Sequence, residues 1–375
     1  MEKADNPSLA DKPVIVGALP GRRGVVSTCS YEARKFGIHS AMPISEAVRL
    51  CPQGVFLPVR MDRYAEISKR IMDLFQEFTP DVRQISIDEA FLDMTGTGKL
   101  WGEPRLAAEK IKTRIRLATG LGISIGIAAN RYVAKIASGL EKPDGLVMVE
   151  KGGELNFMRH LPLERLWGAG EKTRVSLRAI GVKNVADLQD ISHNLLEAKL
   201  GPAAARFFIA AAKGEDHGIF GFDPASKSMS GERTFDADTA QREKIDNVLR
   251  RISDELAARV LASGQSSGTL ALKLRFQDFS SIARQTTRDD PYIDSDEIFE
   301  TGKKLLKANW NDQTPLRLIG LGLQDLRDLG DFQGSLFGRE IGKAELARRA
   351  AAALQDRGKG RVVRARFLNE GNPKA

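Results

Sequence analysis

The chain has 375 residues, 42% apolar and 28% charged, with a net charge of +8, enough for two to four domains with substantial cores. It holds no apolar run near 18 residues, and its polar N-terminus lacks the charged-then-apolar pattern of a signal peptide, so nothing points to a membrane or to export. Cys29 and Cys51 are its two cysteines, without CxxC spacing or a neighbouring His, which argues against a disulfide framework or a zinc site and fits a reducing cytoplasm; the positive balance favours a polyanionic partner.

Pro13 to Gly17 and Gly24 to Thr28 read as short strands separated by the turn-rich Leu19-Pro20-Gly21-Arg22-Arg23. Tyr31 and Arg34 then stand three residues apart at the head of a short helix, on neighbouring positions of one face. Arg can fork onto phosphate oxygens and a tyrosine hydroxyl can donate to the same group, with Thr28 within reach at the strand end. The alternative is that Arg34 pairs with Glu32 or lies solvated and Tyr31 simply packs. From Asp62 to Phe78 the period is helical, with Ile67, Ile71, Leu74, Phe75 and Phe78 on one face, and Pro80 ends it.

Val82, Gln84 and Ser86 alternate into the tetrad Ser86-Ile87-Asp88-Glu89, and Ala90-Phe91-Leu92 follows, so two adjacent carboxylates fall where one strand hands over to the next. Metal-dependent phosphoryl transfer needs hard oxygen ligands fixed on rigid elements, which this spacing supplies. Taken alone, an Asp-Glu pair at a strand end is more often a solvated turn. A helix from Glu103 to Ala118 with Leu106, Ile111, Ile115 and Leu117 inward comes next, then a strand from Ile123 to Ala128 whose apolar run predicts burial on both faces. In Asn130-Arg131-Tyr132-Val133-Ala134-Lys135-Ile136-Ala137-Ser138, Val133, Ile136 and Ala137 make an inner helical face, and Lys135 falls on the solvated one unless it serves the site. Interleaved strands and helices indicate a mixed α/β region.

The stretch from Leu161 to Leu188 changes character. Gly168-Ala169-Gly170 precedes a helix from Glu171 to Ile180 that Gly181 closes, as in a helix-hairpin-helix whose glycine amides approach a DNA phosphate. A plain helical hairpin fits the same pattern. Residues 223–231 read as a polar linker. In Thr269 to Gln277, Leu270, Leu272, Leu274 and Phe276 face one way and Lys273 and Arg275 the other, giving a strand with a core face and a basic face; Ser281 to Thr286 reads as its partner. Past the last domain stands Gln333-Gly334-Ser335-Leu336-Phe337, then an Ala-rich helix and a basic end.

Three ordered motifs, Thr28 to Gly37, the tetrad at Ser86 and Asn130 to Ser138, together resemble the Y-family DNA polymerases, nearest to the bacterial DinB type, from about Asp5 to Leu326. The resemblance implies an α+β, mixed α/β multidomain right hand: fingers over residues 1–59, palm over 60–149, thumb with the helix-hairpin-helix over 150–222, the linker 223–231, a little finger over 232–328 and a tail over 329–375. It implies low-fidelity, translesion, template-directed transfer of dNTPs to a primer 3′-hydroxyl with two Mg²⁺ ions. Asp88 and Glu89 would be the metal-binding and catalytic carboxylates, with Thr28, Tyr31, Arg34 and Arg131 on the triphosphate. Arg131 stands where the family usually has Lys, bringing a planar fork in place of a point charge. Gly168, Gly170, Lys273 and Arg275 would track primer-template DNA, and Gln333, Leu336 and Phe337 resemble a peptide that binds the bacterial sliding clamp. The protein is expected to be a cytoplasmic monomer.

One departure stands out. Family members open with a hydrophobic strand ending in an Asp-Met-Asp-Ala-Phe-Phe-like run, which carries the first metal-binding Asp and an aromatic gate against ribonucleotides. This sequence opens at Met1-Glu2-Lys3-Ala4-Asp5-Asn6-Pro7, which resembles the tail of the helix after that strand, so that a strand and most of a helix are expected to be missing from the palm. A start assigned too late, at a Val codon readable as Met, is one explanation. A genuine truncation is the other, and it would leave a catalytically impaired DNA- and clamp-binding protein.

Overall fold

The computed structural model describes residues 1–216, 218 and 226–329. They fall into two compact units: Met1–Val16, Thr28–Ile38 and the described residues from Cys51 to 218 form the first, and Gly17–Ser27, His39–Leu50 and the described residues from 226 onward form the second. Among the described residues no helix is long and apolar enough to cross a membrane.

The chain begins with α1 (Glu2–Asp5), β1 (Val14–Gly17), β2 (Val26–Cys29), α2 (Tyr31–Arg34), α3 (Ile44–Leu50) and β3 (Val55–Leu57). β1 pairs in parallel with β3, Val14 against Val55 and Val16 against Leu57, in a sheet of order β2-β1-β3. Val14 and Val16 bury against Leu9, with Val59 and Tyr64 packed on them. Ser30 caps α2, its hydroxyl accepting from the Ala33 N–H and from the Val14 N–H.

α4 (Met61–Phe75) carries the predicted apolar face, with Ile67, Leu74 and Phe75 buried. It ends three residues before the expected Phe78, because Glu77 and Phe78 donate back to Leu74 and Phe75 in tight i to i−3 turns; Phe78 nonetheless stays in the core, against Trp101. β4 (Val82–Gln84) and β5 (Ala90–Leu92) form an antiparallel hairpin, followed by α5 (Gly98–Trp101) and α6 (Pro104–Thr119). α6 buries Ala107, Ala108, Ile111 and Ile115. Two residues expected inward are not: Leu106 is half-exposed and Leu117 is 81% exposed. Leu117 lies two residues past Ile115, about 200° around the helix, and a face already set by Ala107, Ile111 and Ile115 carries it outward.

β6 (Ile125–Ile127) pairs in parallel with β7 (Leu146–Met148), and between them runs α7 (Arg131–Ala137). The residues of β6 are half-buried, not buried on both faces as the apolar run suggested, since Ile125, Gly126 and Ile127 line an open groove. Gly126 lets α7 lie directly on the strand: a Cβ there would sit 2.1 Å from the Ala134 carbonyl and 2.4 Å from the Ser138 nitrogen. Tyr132, Val133, Ile136 and Ala137 on α7 share one core with α8 (Glu154–Arg159), α9 (Glu171–Arg178), α10 (Val185–Asp190), α11 (His193–Leu200) and α12 (Pro202–Lys213), through Met158, Leu177, Leu188, Leu196 and Phe208. Gly181, at φ +90°, makes the left-handed turn after α9, and a reciprocal Asn184–Asp187 cap starts α10.

In the second unit a four-stranded antiparallel sheet of order β11-β10-β12-β8 comprises β8 (Ser228–Thr239), β10 (Thr269–Phe276), β11 (Ser281–Thr287) and β12 (Leu316–Gln324). The helices α13 (Arg242–Ser263) and α14 (Ser295–Asn309) cover one face, while β9 (Gln265–Ser266) and β13 (Arg327–Asp328) form a short ribbon. Leu270, Leu272 and Leu274 enter the core with Leu249, Leu256, Ile319 and Leu321, as the alternation predicts.

Candidate active site

The carboxylate pair sits in the turn of the β4–β5 hairpin. Val82 opposes Leu92 and Gln84 opposes Ala90, and the Ile85 and Ser86 N–H groups donate to the Glu89 carbonyl at 2.9 and 3.2 Å, closing the turn over 86–88. The Ser86 hydroxyl donates to Asp88 Oδ1 at 2.6 Å, and the Gln84 amide ties the turn to α4 by donating to the Ser86 carbonyl at 2.9 Å and to the Ser68 hydroxyl at 3.2 Å. Asp88 is exposed and Glu89 is half-buried.

α7 brings the cations. Asn130 caps it, accepting from the Val133 N–H at 3.0 Å and donating to the Gly214 carbonyl at 2.8 Å. With Tyr132, Val133, Ile136 and Ala137 turned inward, Arg131 and Lys135 come out one turn apart on the opposite side. Lys135 Nζ forms an ion pair with Glu89 Oε1. Of the two readings the sequence leaves open for Lys135, the solvated face and service to the site, this pair favours the second; the i, i+4 spacing from Arg131 is the signal in the sequence. Asp93, held below the usual carboxylate range by the Thr95 hydroxyl and backbone N–H and by the nearby charge of Arg131, completes this neighbourhood.

These groups meet in an open groove of about 1710 Å³. Asp88, Glu89, Asp93, Arg131, Lys135 and Tyr31 line it, and Ile71, Phe91, Ile111, Ile125 and Ile127 supply apolar walls. Ile85 and Ile87, roughly two-fifths exposed, also line it. Thr28 and Arg34 do not. Arg34 lies with its guanidinium carbon 5.8 Å from the Tyr31 ring centroid, behind a groove residue and not in the groove. It does not pair with Glu32, whose carboxylate is taken by Lys3 at 2.6 Å and so pulled down to about 2. Among the described residues no group of three or more His, Cys, Asp or Glu is arranged to hold a metal. Asp88 and Glu89 nevertheless fit a hard divalent cation, which takes one or two carboxylates and completes its shell with water and substrate phosphates.

The other predicted contacts are distributed elsewhere. Gly168 has φ +91° and is exposed, as is Gly170 at the start of α9. In the second unit Lys273 points to the open face of the sheet but donates to Glu232 at 2.7 Å. Gly320, between them on β12, makes room for this pair, since a Cβ there would fall 2.7 Å from Glu232 Cγ. Arg275 Nε donates to the Ser281 hydroxyl at 3.1 Å. The predicted clamp residues Gln333, Leu336 and Phe337 lie outside the described residues.

Residues 1–139 match the impB/mucB/samB family, and residues 226–336 match its C-terminal domain. The chain is 43% identical to DNA polymerase IV of Treponema denticola over 373 residues, which is 99% of this chain and 94% of that protein. It is 38% identical to DNA polymerase IV of Desulfatibacillum aliphaticivorans, over 90% of this chain and 85% of that one. Among solved structures, a Y-family DNA polymerase chimera of Dbh and Dpo4 superposes with a TM-score of 0.74 at 26% identity, covering 86% of this chain and 94% of the other. An insertion ternary complex of Dbh DNA polymerase gives 0.57 at 25% identity over the same shares.

Proposed function

The chain belongs to the impB/mucB/samB family and is a DNA-directed DNA polymerase of the Y-family, DinB type, and from that premise we propose that nucleotide addition takes place in the groove beside the 85–89 turn. The observation that carries this is the convergence of Asp88 and Glu89 with Arg131, Lys135 and Tyr31 on one groove. In the reaction the primer 3′-oxygen bonds to the α-phosphorus of a dNTP, the bond to the β-phosphate breaks, pyrophosphate leaves and the hydroxyl proton is lost.

Asp88 and Glu89 would hold two Mg²⁺ ions together with the triphosphate, and the bound ions supply charge neutralisation and a more acidic primer hydroxyl. Lys135 pairs with Glu89 and neutralises it. An incoming triphosphate competes for Lys135 and frees Glu89, so nucleotide entry and the readiness of Glu89 are linked. Arg131 forks onto phosphate oxygens. Tyr31, which lines the groove, would offer its hydroxyl, and Arg34, its guanidinium carbon 5.8 Å from that ring's centroid, would help orient it, with Thr28 at the end of the preceding strand. Gly168 would meet DNA phosphate through its backbone amide, Gly170 only after its N–H gives up the Gly168 carbonyl, and Arg275 with Lys273 would follow the DNA backbone, Lys273 only after exchanging Glu232 for phosphate. The first unit then corresponds to palm and thumb with part of the fingers, and the sheet of the second to the little finger. Gln333, Leu336 and Phe337 would anchor a cytoplasmic, monomeric enzyme to a sliding clamp.

A second reading, in which the chain binds DNA and clamp without extending primers, is favoured by the donor count: the turn supplies two carboxylates, and the described residues gather no set of three around an ion. Single-nucleotide primer extension by the purified chain, beside a Glu89→Gln variant, separates the two. Mg²⁺-dependent addition that the variant lacks supports the first reading, and DNA binding with no addition by either protein supports the second.

A further inference from the structure

We propose that Tyr132 is a positioning residue that fixes the first turn of α7 to the 167–170 loop, so that Arg131 and the loop amides are held in one register. The inference rests on the reading that Arg131 meets the triphosphate and the loop meets DNA phosphate. Tyr132 follows Arg131 directly, is 1% exposed, and its hydroxyl donates to the Trp167 carbonyl at 2.9 Å. Trp167 and Phe207 both meet its ring edge-on, each with centroids 6.4 Å away. The Phe207 ring closes on Gly168, where a Cβ would lie 2.8 Å from it. One buried phenol therefore touches, directly or through Phe207, the two residues that begin the proposed phosphate-binding turn, Trp167 and Gly168.

The loop's acceptors explain why the hydroxyl matters. The Trp167 carbonyl takes the Tyr132 hydroxyl, the Gly168 carbonyl takes the Gly170 N–H at 3.1 Å, and the Ala169 carbonyl takes Arg174 Nη1 at 2.8 Å. Three successive carbonyls are thus engaged inside the protein, and since the Ala169 and Gly170 N–H groups are engaged too, on the Leu166 and Gly168 carbonyls at 3.1 Å, the Gly168 N–H is the loop amide left for an anion. Of the three donors, Tyr132 alone comes from the helix that also carries Arg131 and Lys135. Packing by itself would be served by phenylalanine, since a buried hydroxyl costs desolvation unless it is bonded. Burial also pushes the phenol well above the usual tyrosine range, so it remains a donor at every working pH.

The test is Tyr132→Phe in the full chain, which keeps the ring and deletes the link. Fluorescence anisotropy with a dideoxy-terminated primer-template, with and without the next complementary dNTP and Mg²⁺, gives the factor by which nucleotide tightens DNA binding. The variant should lose at least about threefold of that factor. Its DNA affinity without nucleotide should stay within about twofold and its melting temperature within a few degrees, because the ring packing is intact. A merely structural tyrosine would lower the melting temperature and leave the factor unchanged, and that result would overturn the proposal. Arg131→Ala is the control for the underlying reading. If it leaves the nucleotide effect intact, the site assignment fails and this inference with it; if it abolishes the effect while Tyr132→Phe does not, the positioning role alone is wrong.

Discussion

Replacing Glu89 by Gln removes one charge from the turn and leaves its shape. The structural cost is small by the geometry: the Glu89 and Lys135 side chains are 38% and 22% exposed, and an ion pair open to water contributes about 0–1 kcal/mol. The turn is closed by the Glu89 carbonyl, not by its carboxylate, so the hairpin should persist and melting should shift by no more than a few degrees. The catalytic cost is of another order. A carboxylate that holds a catalytic ion and stabilises transition-state charge is worth about 3–5 kcal/mol, or roughly 10²–10⁴ in rate. DNA affinity should be nearly unchanged, since the proposal assigns most of it to phosphate contacts of the loop and the sheet. Pre-steady-state single-nucleotide insertion beside an anisotropy titration reads both quantities. Insertion within about tenfold of the parent would refute the assignment, as would a fall in DNA affinity that accounts for the whole loss of rate.

Three further outcomes follow from the same geometry. Arg131→Ala should raise the dNTP KM by about tenfold or more, from loss of a phosphate fork; an unchanged nucleotide dependence in insertion kinetics would make Arg131 a partner of Asp93 and nothing more. Gly126→Ala places a methyl 2.1 Å from the Ala134 carbonyl, so denaturant unfolding should show a loss of about 2–3 kcal/mol or more; a neutral substitution would mean that α7 does not rest on β6 as described. Replacing Gln333, Leu336 and Phe337 with Ala should abolish capture by a bacterial sliding clamp and leave distributive synthesis on short primers intact; undiminished capture would reject the motif.

Much of the architecture could be read from patterns in the chain. The alternation around Val82 and Gln84 marks the hairpin, the 2-residue period of Leu270, Leu272 and Leu274 marks a one-sided strand, and Asn130 announces a helix by its ability to cap one. Periodicity tells which residues share a face and is silent about what that face meets. Leu117 was placed inward because it is apolar, although the buried stripe of α6 runs through alanines. Lys273 was read as a bare cation because Glu232, its partner two strands away, is 41 positions distant in sequence. For the same reason the sequence leaves Lys135 undecided and gives Tyr132 no role: their partners, Glu89 and Trp167, become neighbours only through tertiary packing. Tyr31 and Arg34 were correctly seen as adjacent, but adjacency on a helix does not decide which of two neighbours reaches a groove.

The central claim, that Asp88 and Glu89 in this groove carry templated nucleotide addition, is tested most directly by following a single labelled primer on a short template. The protein must come from a host background free of other polymerases, and the label is followed with Mg²⁺ and one complementary dNTP at a time. The account predicts one-nucleotide extension that depends on Mg²⁺, follows the template base, and disappears in Glu89→Gln protein that still binds the same DNA. Equal extension by the Glu89→Gln protein would contradict it.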